Sequence, residues 1–127
     1  MQQDSNTLVA VYGSLRQGHG NHRLLAGYEC LATELSVPEF TMHSLGGFPA
    51  LTKGEFPVVI ELYKVDALTF KSLDRLEGYP NFYNRREILT SRGNAWVYYI
   101  NDLSQYNTDV VESGDWSEYN RRCMINE

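Results

Sequence analysis

The chain has 127 residues, 43% of them hydrophobic, and its 11 Lys and Arg against 16 Asp and Glu give a formal net charge of −5. A chain of this length buries about two thirds of the surface that its unfolded form exposes, enough for one hydrophobic core without a disulfide or a structural metal. A negative chain without runs of Lys or Arg lacks the positive surface that phosphate backbones and anionic lipids attract, so we expect no nucleic-acid partner.

The sequence also argues against a membrane protein. No stretch approaches the roughly 20 consecutive apolar residues of a membrane span, and the first residues, MQQDSNT, have neither the basic nor the apolar region of a signal peptide. We therefore expect a cytoplasmic protein without a membrane partner. Cys30 and Cys123 are too few and too far apart for a metal knuckle or a CxxC pair, so both are interpreted as structural. Residues 1–127 are expected to form a single domain, a monomer by default, with a polar and loosely attached tail from about residue 117.

The first half of the chain is typical of strands. TLVAVY, residues 7–12, is an apolar run of β-formers that predicts a buried strand, and a glycine-rich loop follows it. A short helix is predicted from His22, with Asn21 as its cap. The segments LATELSV, EFTMHSL and FPALT follow as strands, and PVVIELYKV, residues 57–65, has the β-branched and aromatic composition of a central strand.

The second half contains the clearest helix. From Asp66 the pattern DALTFKSLDRLEGYP predicts about three helical turns, capped by Asp66 and ended by Gly78 and Pro80. The segments FYNRREILTS and NAWVYYIND predict two strands joined at SRGN, whose Gly93-Asn94 pair suits a hairpin turn. Strands with one good helix between them predict an α+β domain whose sheet is largely antiparallel and forms a small barrel.

The loop GSLRQGHGN, residues 13–21, is the first candidate site, because closely spaced glycines let backbone N–H groups converge on an anion. Its glycines, at positions 13, 18 and 20, do not match the G-x-G-x-x-G dinucleotide fingerprint. The Lys and Ser/Thr of a phosphate-binding P-loop are also missing, since His19 and Gly20 stand in their place. The sequence therefore argues against a nucleotide site, and a turn that only reverses the chain is an equal alternative.

Glu77 has an unusual position for a charged residue. The apolar stripe of the predicted helix passes through Phe70 and Leu73, and three or four residues further it reaches Leu76 and Glu77. Desolvation and the negative end of the helix dipole both raise the pKa of a carboxyl group on the buried face of a last helical turn. Such a group can take up and return a proton near neutral pH. The alternative is a surface ion pair with one of three arginines, Arg75, Arg85 or Arg86.

Other polar residues give weaker signals. Asp74 falls on the polar side of the helix and is interpreted as a solvated charge. Ser14 has no base evident beside it and the G-x-S-x-G pattern is absent, so a serine hydrolase is a minor hypothesis. His19, His22 and His43 lack the spacing of metal ligands, and we predict no metal site.

Two segments, VYGSLRQGHGNHRLL (residues 11–25) and LDRLEGYPNFYNRR (residues 73–86), together resemble the gamma-glutamylcyclotransferase-like superfamily, especially its gamma-glutamylamine cyclotransferase branch. The segments GGFPAL, WVYYI and SGDW extend the similarity over nearly the whole chain. The YGSL and LEGYP…Y-x-R motifs are distinctive in combination. The resemblance implies a small, mostly antiparallel β-barrel with flanking helices, in which the YGSL loop and a glutamate at a helix end meet in one cavity.

By position, the resemblance implies that Tyr12, Gly13, Ser14 and Leu15 hold the substrate and that Glu77 is the catalytic acid–base. The family reaction is a cyclisation, in which the free α-amine of a gamma-glutamyl group attacks its own side-chain carbonyl, closes 5-oxoproline and expels an amine. The resemblance implies no cofactor and no metal. It leaves the identity of the leaving amine or peptide open.

Tyr83 is a further candidate, as a hydroxyl donor in the same cavity, because a phenol at a pocket can hydrogen-bond a polar substrate. The nucleophile of such a reaction belongs to the substrate, which fits a sequence without an evident Ser-His or Cys-His pair. The main alternative to an enzyme is a non-catalytic binding module that keeps the YGSL pocket for a small carboxylate or amine. Glu77 favours catalysis, because a pure binder gains little from a desolvated carboxylate facing a substrate carboxylate.

Overall fold

The computed structural model describes residues 6–125, which form eight strands, two α-helices and a short 3-10 helix. In chain order these are β1 (Thr7–Val11), the 3-10 helix (Gly20–Leu25), β2 (Ala32–Leu35), β3 (Phe40–Ser44), β4 (Pro49–Lys53), β5 (Val59–Val65), α1 (Ala67–Glu77), β6 (Asn84–Thr90), β7 (Gly93–Tyr99), β8 (Asp109–Val110) and α2 (Trp116–Ile125). Each strand segment and the main helix predicted from the sequence has its counterpart here, so the α+β class is confirmed.

The strands form two sheets. The larger has the order β2-β5-β1-β7-β6 and the smaller has the order β4-β3-β8. Neighbouring strands run antiparallel except β1 and β7, which are parallel and place Val9 opposite Trp96. The predicted hairpin joins β6 to β7, but its turn residues are Ser91 and Arg92 rather than the predicted Gly93-Asn94 pair. Gly93 begins β7 with a φ of 110°, where a side chain would be strained. The largely antiparallel arrangement predicted from the sequence is therefore present.

Backbone hydrogen bonds link the two sheets. The N–H of Ile100, just after β7, donates to the carbonyl of Leu51 on β4 at 2.9 Å. Phe40 of β3 forms an antiparallel bridge with Phe56, in the segment that leads to β5. Both sheets contribute apolar side chains to a shared core, whose fully buried members include Phe40, Met42, Leu51, Val58, Ile60, Leu62 and Val97. The two sheets are therefore joined at their edges and share one core.

A second apolar layer covers the outer side of the larger sheet. Leu25 from the 3-10 helix and Leu73 from α1 pack there with Tyr63 of β5, and all three side chains are fully buried. At the start of α1, the Asp66 side chain accepts a hydrogen bond from the N–H of Thr69 at 2.8 Å, as a helix cap does. This packing holds α1 against the larger sheet and so sets the position of Glu77 in its last turn.

Gly78 ends α1 as the sequence predicts. Its φ of 67° lies in the left-handed region, which glycine adopts at no steric cost. In this conformation the N–H of Gly78 donates a hydrogen bond to the carbonyl of Arg75, and the N–H of Tyr79 donates one to the carbonyl of Asp74. The chain then turns directly into β6, so that Glu77 and the start of β6 lie close together.

Two further sequence predictions differ from the structure. The segment after the glycine loop is a 3-10 helix that already begins at Gly20, with no side-chain cap, because the Asn21 amide bonds Ser14 instead. The tail predicted to be loosely attached is helix α2, where buried Trp116 stacks on Tyr119 with ring centroids 5.6 Å apart. Aromatic burial holds this polar segment against the domain. Within residues 6–125, none of the helices has the length and apolar character that spanning a bilayer requires.

Candidate active site

A cavity of about 350 Å³ lies between the loop after β1, the start of β4 and the end of α1. This volume is within the range of small-molecule sites in proteins. The six residues singled out from the sequence all line it, namely Tyr12, Gly13, Ser14, Leu15, Glu77 and Tyr83. The structure thus brings the YGSL loop and the end of the helix together, while the roles of these residues in binding and catalysis stay predictions.

Hydrogen bonds within the glycine loop hold it in a compact turn. The N–H of Arg16 donates to the carbonyl of Gly13 at 3.0 Å, and the N–H of Asn21 donates to the carbonyl of Ser14 at 3.1 Å. Within the described part of the chain, the N–H groups of Ser14 and Leu15 donate to no other protein group. These two N–H groups therefore keep their full hydrogen-bonding capacity beside the cavity.

Gly13 allows the loop to approach β4 closely. A Cβ atom at this position would lie 2.8 Å from Cγ of Pro49, closer than carbon atoms tolerate. Pro49 itself lines the cavity and begins β4. Glycine at position 13 is therefore required by the contact between two walls of the cavity.

Asn21 is a cavity residue that sequence reasoning assigned to a helix cap instead. Its side-chain amide donates to Oγ of Ser14 at 2.8 Å. The nearby histidines bond other groups: His19 bonds Ser117 and His22 bonds the carbonyl of Leu15. Ser14 thus has an amide donor and no histidine base, which argues against the serine hydrolase hypothesis.

A buried ion pair anchors the far side of the same loop. Nε of Arg16 lies 3.0 Å from Oε2 of Glu61 on β5, and Nη1 lies 2.9 Å from Oδ1 of Asp115, just before α2. Glu61 also accepts hydrogen bonds from the N–H of Gln17 and the hydroxyl of Tyr63, both at 2.9 Å. Sequence reasoning missed this cluster, although a glutamate inside the apolar strand PVVIELYKV is a signal that could have indicated it.

Glu77 has no comparable partner. No residue between 6 and 125 forms a hydrogen bond or an ion pair with its carboxylate. Arg85 pairs with Asp74, and Arg86 pairs with Glu39. Arg75 forms no ion pair with any described residue. Burial without a compensating charge raises the pKa of Glu77 to about 7. The alternative of a surface ion pair with one of the three arginines is therefore not what the structure shows.

Three tyrosines adjoin the Glu77 carboxylate, and each uses its hydroxyl proton elsewhere. Tyr12 donates to the carbonyl of Tyr98 at 2.8 Å, Tyr98 donates to Oδ1 of Asp74 at 2.7 Å, and Tyr83 donates to the carbonyl of Pro49 at 2.7 Å. Burial, and secondarily the charge of Glu77, raise the pKa of the Tyr83 hydroxyl. The expected role of Tyr83 as a hydroxyl donor to substrate conflicts with this bond, since its one proton already binds Pro49.

The prediction that Asp74 is a solvated charge is wrong. Asp74 is half-buried and accepts two hydrogen bonds from Arg85, at 3.0 and 3.3 Å, in addition to that of Tyr98. The Arg85 guanidinium in turn lies 4.1 to 4.6 Å from the centres of three rings, those of Phe70, Tyr79 and Trp96. Stacking and bidentate pairing of this kind fix both side chains. They also hold Arg85 away from Glu77, which lies one helical turn after Asp74.

The described residues, 6 to 125, include no group of three or more His, Cys, Asp or Glu side chains arranged to hold a metal ion. His43 bonds Thr52 and Thr108 rather than other candidate ligands. Independence from metals and cofactors stays a prediction from the sequence.

Comparison with known proteins addresses the family directly. A family model described as "Gamma-glutamyl cyclotransferase, AIG2-like" matches residues 9–118, which is most of the chain and contains both walls of the cavity. The chain belongs to this family. The AIG2-like family model thus confirms the resemblance indicated by the YGSL and LEGYP motifs, and it supports gamma-glutamylcyclotransferase-type activity in general.

Relatives and solved structures agree with this assignment. A gamma-glutamylcyclotransferase-like protein of Vibrio cholerae is 38% identical over 111 residues, covering 87% of this chain and 96% of the relative. The gamma-glutamylcyclotransferase family protein YtfP of Escherichia coli is 33% identical over 108 residues, covering 85% of this chain and 94% of the relative. The crystal structure of PH0828 from Pyrococcus horikoshii superposes with a TM-score of 0.81 at 25% identity, covering 94% of this chain and 97% of that one. The AIG2-like fold therefore extends over nearly the whole chain.

Proposed function

We propose that the protein is a gamma-glutamyl-amine cyclotransferase that converts a gamma-glutamyl amine or peptide into 5-oxoproline and a free amine. The observation that carries the proposal is the Glu77 carboxyl group, unpaired and with a pKa raised to about 7, in the same cavity as the YGSL loop. Membership of the AIG2-like family supports this class of activity.

Glu77 supplies the proton transfers that the cyclisation needs. Its carboxylate takes a proton from the α-ammonium of the substrate, and the freed amine attacks the side-chain carbonyl carbon, forming the ring C–N bond. The tetrahedral intermediate then collapses: Glu77 gives its proton to the leaving nitrogen as the bond to that nitrogen breaks. The regenerated carboxylate takes the extra proton that remains on the ring nitrogen and passes it to the free amine, which departs as an ammonium ion. A pKa of about 7 suits a group that must both accept and donate near neutral pH.

The YGSL loop supplies hydrogen-bond donors for the substrate. The N–H groups of Ser14 and Leu15 have no protein partner and are suited to the α-carboxylate or to the developing oxyanion. Holding the α-amine close to the side-chain carbonyl carbon of the same substrate favours the reactive conformation, which contributes a large part of the rate gain in such reactions. Ser14 needs no histidine in this mechanism, because the nucleophile belongs to the substrate.

The experiment is an assay for 5-oxoproline by mass spectrometry. The protein is incubated with gamma-glutamyl dipeptides, gamma-glutamyl-lysine, a gamma-glutamyl alkylamide and glutathione. We expect 5-oxoproline from at least one of these substrates. If none of them is converted while one of them binds tightly, the protein is instead a non-catalytic binding module that uses the same pocket.

Glu77→Gln tests the role of the carboxylate. We expect substrate binding to persist while turnover falls at least about a hundredfold, the effect of losing a general acid–base. Glu87→Gln is the matched control, because Glu87 is an exposed glutamate on β6 that does not line the cavity. Turnover close to that of the unmodified enzyme in Glu77→Gln would remove Glu77 from the mechanism.

The pH dependence provides a second measure. The carboxylate form of Glu77 is the base, so kcat/KM should rise with pH until about 7, where that carboxyl group ionises. The residual activity of Glu77→Gln should lack this rise. A rise of the same shape in the variant would assign the ionisation to a different group.

A further inference from the structure

The cavity is apolar where it opens to solvent. Phe48 and Phe82 are each 37% exposed and Leu76 is 41% exposed, whereas Tyr12 and Tyr83 deeper in the cavity are 6% exposed. The exposed lining residues therefore form the part of the wall that an incoming substrate meets first.

Two aromatic residues, Phe48 and Phe82, line this opening, and Tyr106, which does not line the cavity itself, packs on Phe82. The ring centroids of Phe48 and Phe82 are 6.1 Å apart, and those of Phe82 and Tyr106 are 6.2 Å apart, both in edge-to-face geometry. Tyr106 is itself 44% exposed. We call Phe48, Phe82 and Tyr106 the aromatic rim. Exposed rings that contact one another beside a cavity offer a surface on which a further aromatic group can pack.

The cavity also lacks positive charge. Among its described lining residues there is no Lys, Arg or His, and Glu77 is the one carboxyl group. Arg85 is the first cationic residue after Tyr83 in the sequence, but its guanidinium is paired with Asp74 and stacked on three aromatic rings. A carboxylate held at the rim would gain no cationic partner and would lie in the same cavity as the ionised Glu77, which repels it.

A gamma-glutamyl substrate already brings one carboxylate, on its α-carbon. The free N–H groups of Ser14 and Leu15 are suited to that group. At the opening the N–H groups of Gly47 and Phe48 also donate to no described protein group, but none of these donors carries the positive charge that would neutralise a second carboxylate beside Glu77. A leaving amine derived from an amino acid or a peptide would add a second carboxylate. Simple amines add none.

We propose that the aromatic rim selects gamma-glutamyl amides whose leaving amine carries an apolar, preferably aromatic, substituent and no carboxylate. This inference rests on the proposed cyclotransferase function. It assigns the glutamyl part of the substrate to the YGSL loop and Glu77. It assigns the leaving group to Phe48 and Phe82, with Tyr106 supporting the Phe82 ring.

Three substrates isolate the two features of the leaving group. Gamma-glutamyl-phenethylamide and gamma-glutamyl-phenylalanine differ only by a carboxylate, and gamma-glutamyl-ethylamide lacks the ring. We expect kcat/KM for the phenethylamide to exceed that for each of the others by about tenfold, as pocket contacts of this size discriminate. Product inhibition of the unmodified enzyme gives an independent measure, with phenethylamine inhibiting more strongly than phenylalanine.

Two variants locate the preference. Phe82→Ala should lower the ratio of phenethylamide to ethylamide turnover at least about threefold, because it removes the ring shared by both aromatic contacts. Phe56→Ala is the matched control, since Phe56 is 61% exposed and does not line this cavity. Leu76→Arg adds a cation at an exposed helical position of the opening and should raise the relative rate on gamma-glutamyl-phenylalanine about threefold.

The outcomes separate the two proposals. Equal kcat/KM for phenethylamide and phenylalanine substrates, with 5-oxoproline released from both, would overturn the selection by the rim and leave the cyclotransferase function standing. An unchanged ratio in Phe82→Ala, with a melting temperature close to that of the unmodified protein, would also overturn it. No 5-oxoproline from any substrate would overturn the proposed function and the inference together.

Discussion

Glu61 and Glu77 both adjoin the loop that follows β1, but they differ in their partners. Glu61 receives the guanidinium of Arg16, the N–H of Gln17 and the hydroxyl of Tyr63, all within 3.0 Å. Glu77 receives none, and burial alone raises its pKa to about 7. The loop is thus fixed by a fully satisfied carboxylate and faces an unsatisfied one across the cavity.

The difference shows how one fold uses the same side chain for structure and for chemistry. A buried carboxylate with three donors is neutralised and holds its surroundings rigid. A partly buried carboxylate without protein donors costs stability but has a raised pKa, so it can act as a base near neutral pH. The neighbouring tyrosines show the same difference. Tyr63 donates its hydroxyl proton to Glu61, whereas Tyr83, near Glu77, donates its proton to the carbonyl of Pro49.

The largest expected loss of stability comes from breaking the Glu61 cluster. Arg16→Ala leaves Glu61 buried without its cation, and removing one partner of such a pair costs about 3–5 kcal/mol of the free energy of unfolding. Chemical denaturation measures this loss. Arg122→Ala, which breaks the exposed pair with Glu118 on α2, is the control and should cost no more than about 0.5 kcal/mol. Similar losses in both variants would contradict the structural role assigned to Arg16.

Replacing Glu77 should raise the free energy of unfolding rather than lower it. The folded-state pKa of about 7 lies above the ordinary value of 4.5, so the folded protein binds more protons than the unfolded one between these values. Its stability therefore falls as the pH rises from about 4.5 to about 7. Glu77→Gln removes this penalty, and its gain in unfolding free energy should be small near pH 4 and reach up to about 3 kcal/mol above pH 7. Denaturant titrations at the two pH values measure the gain, and a variant less stable than the unmodified protein at both would contradict it.

The smallest expected effects compare the two tyrosines. Tyr63→Phe removes a hydrogen bond to the charged Glu61 and should cost about 2 kcal/mol, whereas Tyr83→Phe removes one to a neutral carbonyl and should cost about 1 kcal/mol. Thermal unfolding measures both. Tyr83→Phe should also lower turnover less than about tenfold, because the proton of Tyr83 is bound to Pro49. A fall as large as that expected for Glu77→Gln would restore Tyr83 as a donor to substrate.

Local patterns predicted the parts of the site that lie within a few residues of one another. The spacing of Phe70, Leu73 and Glu77 along one helix placed the carboxylate on the buried side, and Asp66 and Gly78 marked the ends of that helix. The YGSL loop followed from a buried strand that ends in glycine. The motifs that carry the family resemblance lie in these same two segments, so the sequence alone predicts both walls of the cavity.

The missed features depend on contacts between distant parts of the chain. Asp74 was interpreted as solvated because nothing in its own helix shows that Arg85 and Tyr98, 11 and 24 residues away, bond it. The segment after Trp116 was interpreted as a loose tail because its composition is polar. It is instead attached through Tyr119, which packs against the core, and through the bond of Ser117 to His19, 98 residues away.

Propensity, capping and side-chain periodicity act over a few residues, so the amino-acid sequence is enough to predict the helix and strand pattern, the glycine loop and a carboxylate on the inner face of a helix end. Which carboxylate is neutralised and which is left unpaired depends instead on the folded arrangement of the chain. That outcome depends on which cation or donor the folded chain brings within about 3 Å, and hydrogen bonds and desolvation act only at such contact distances.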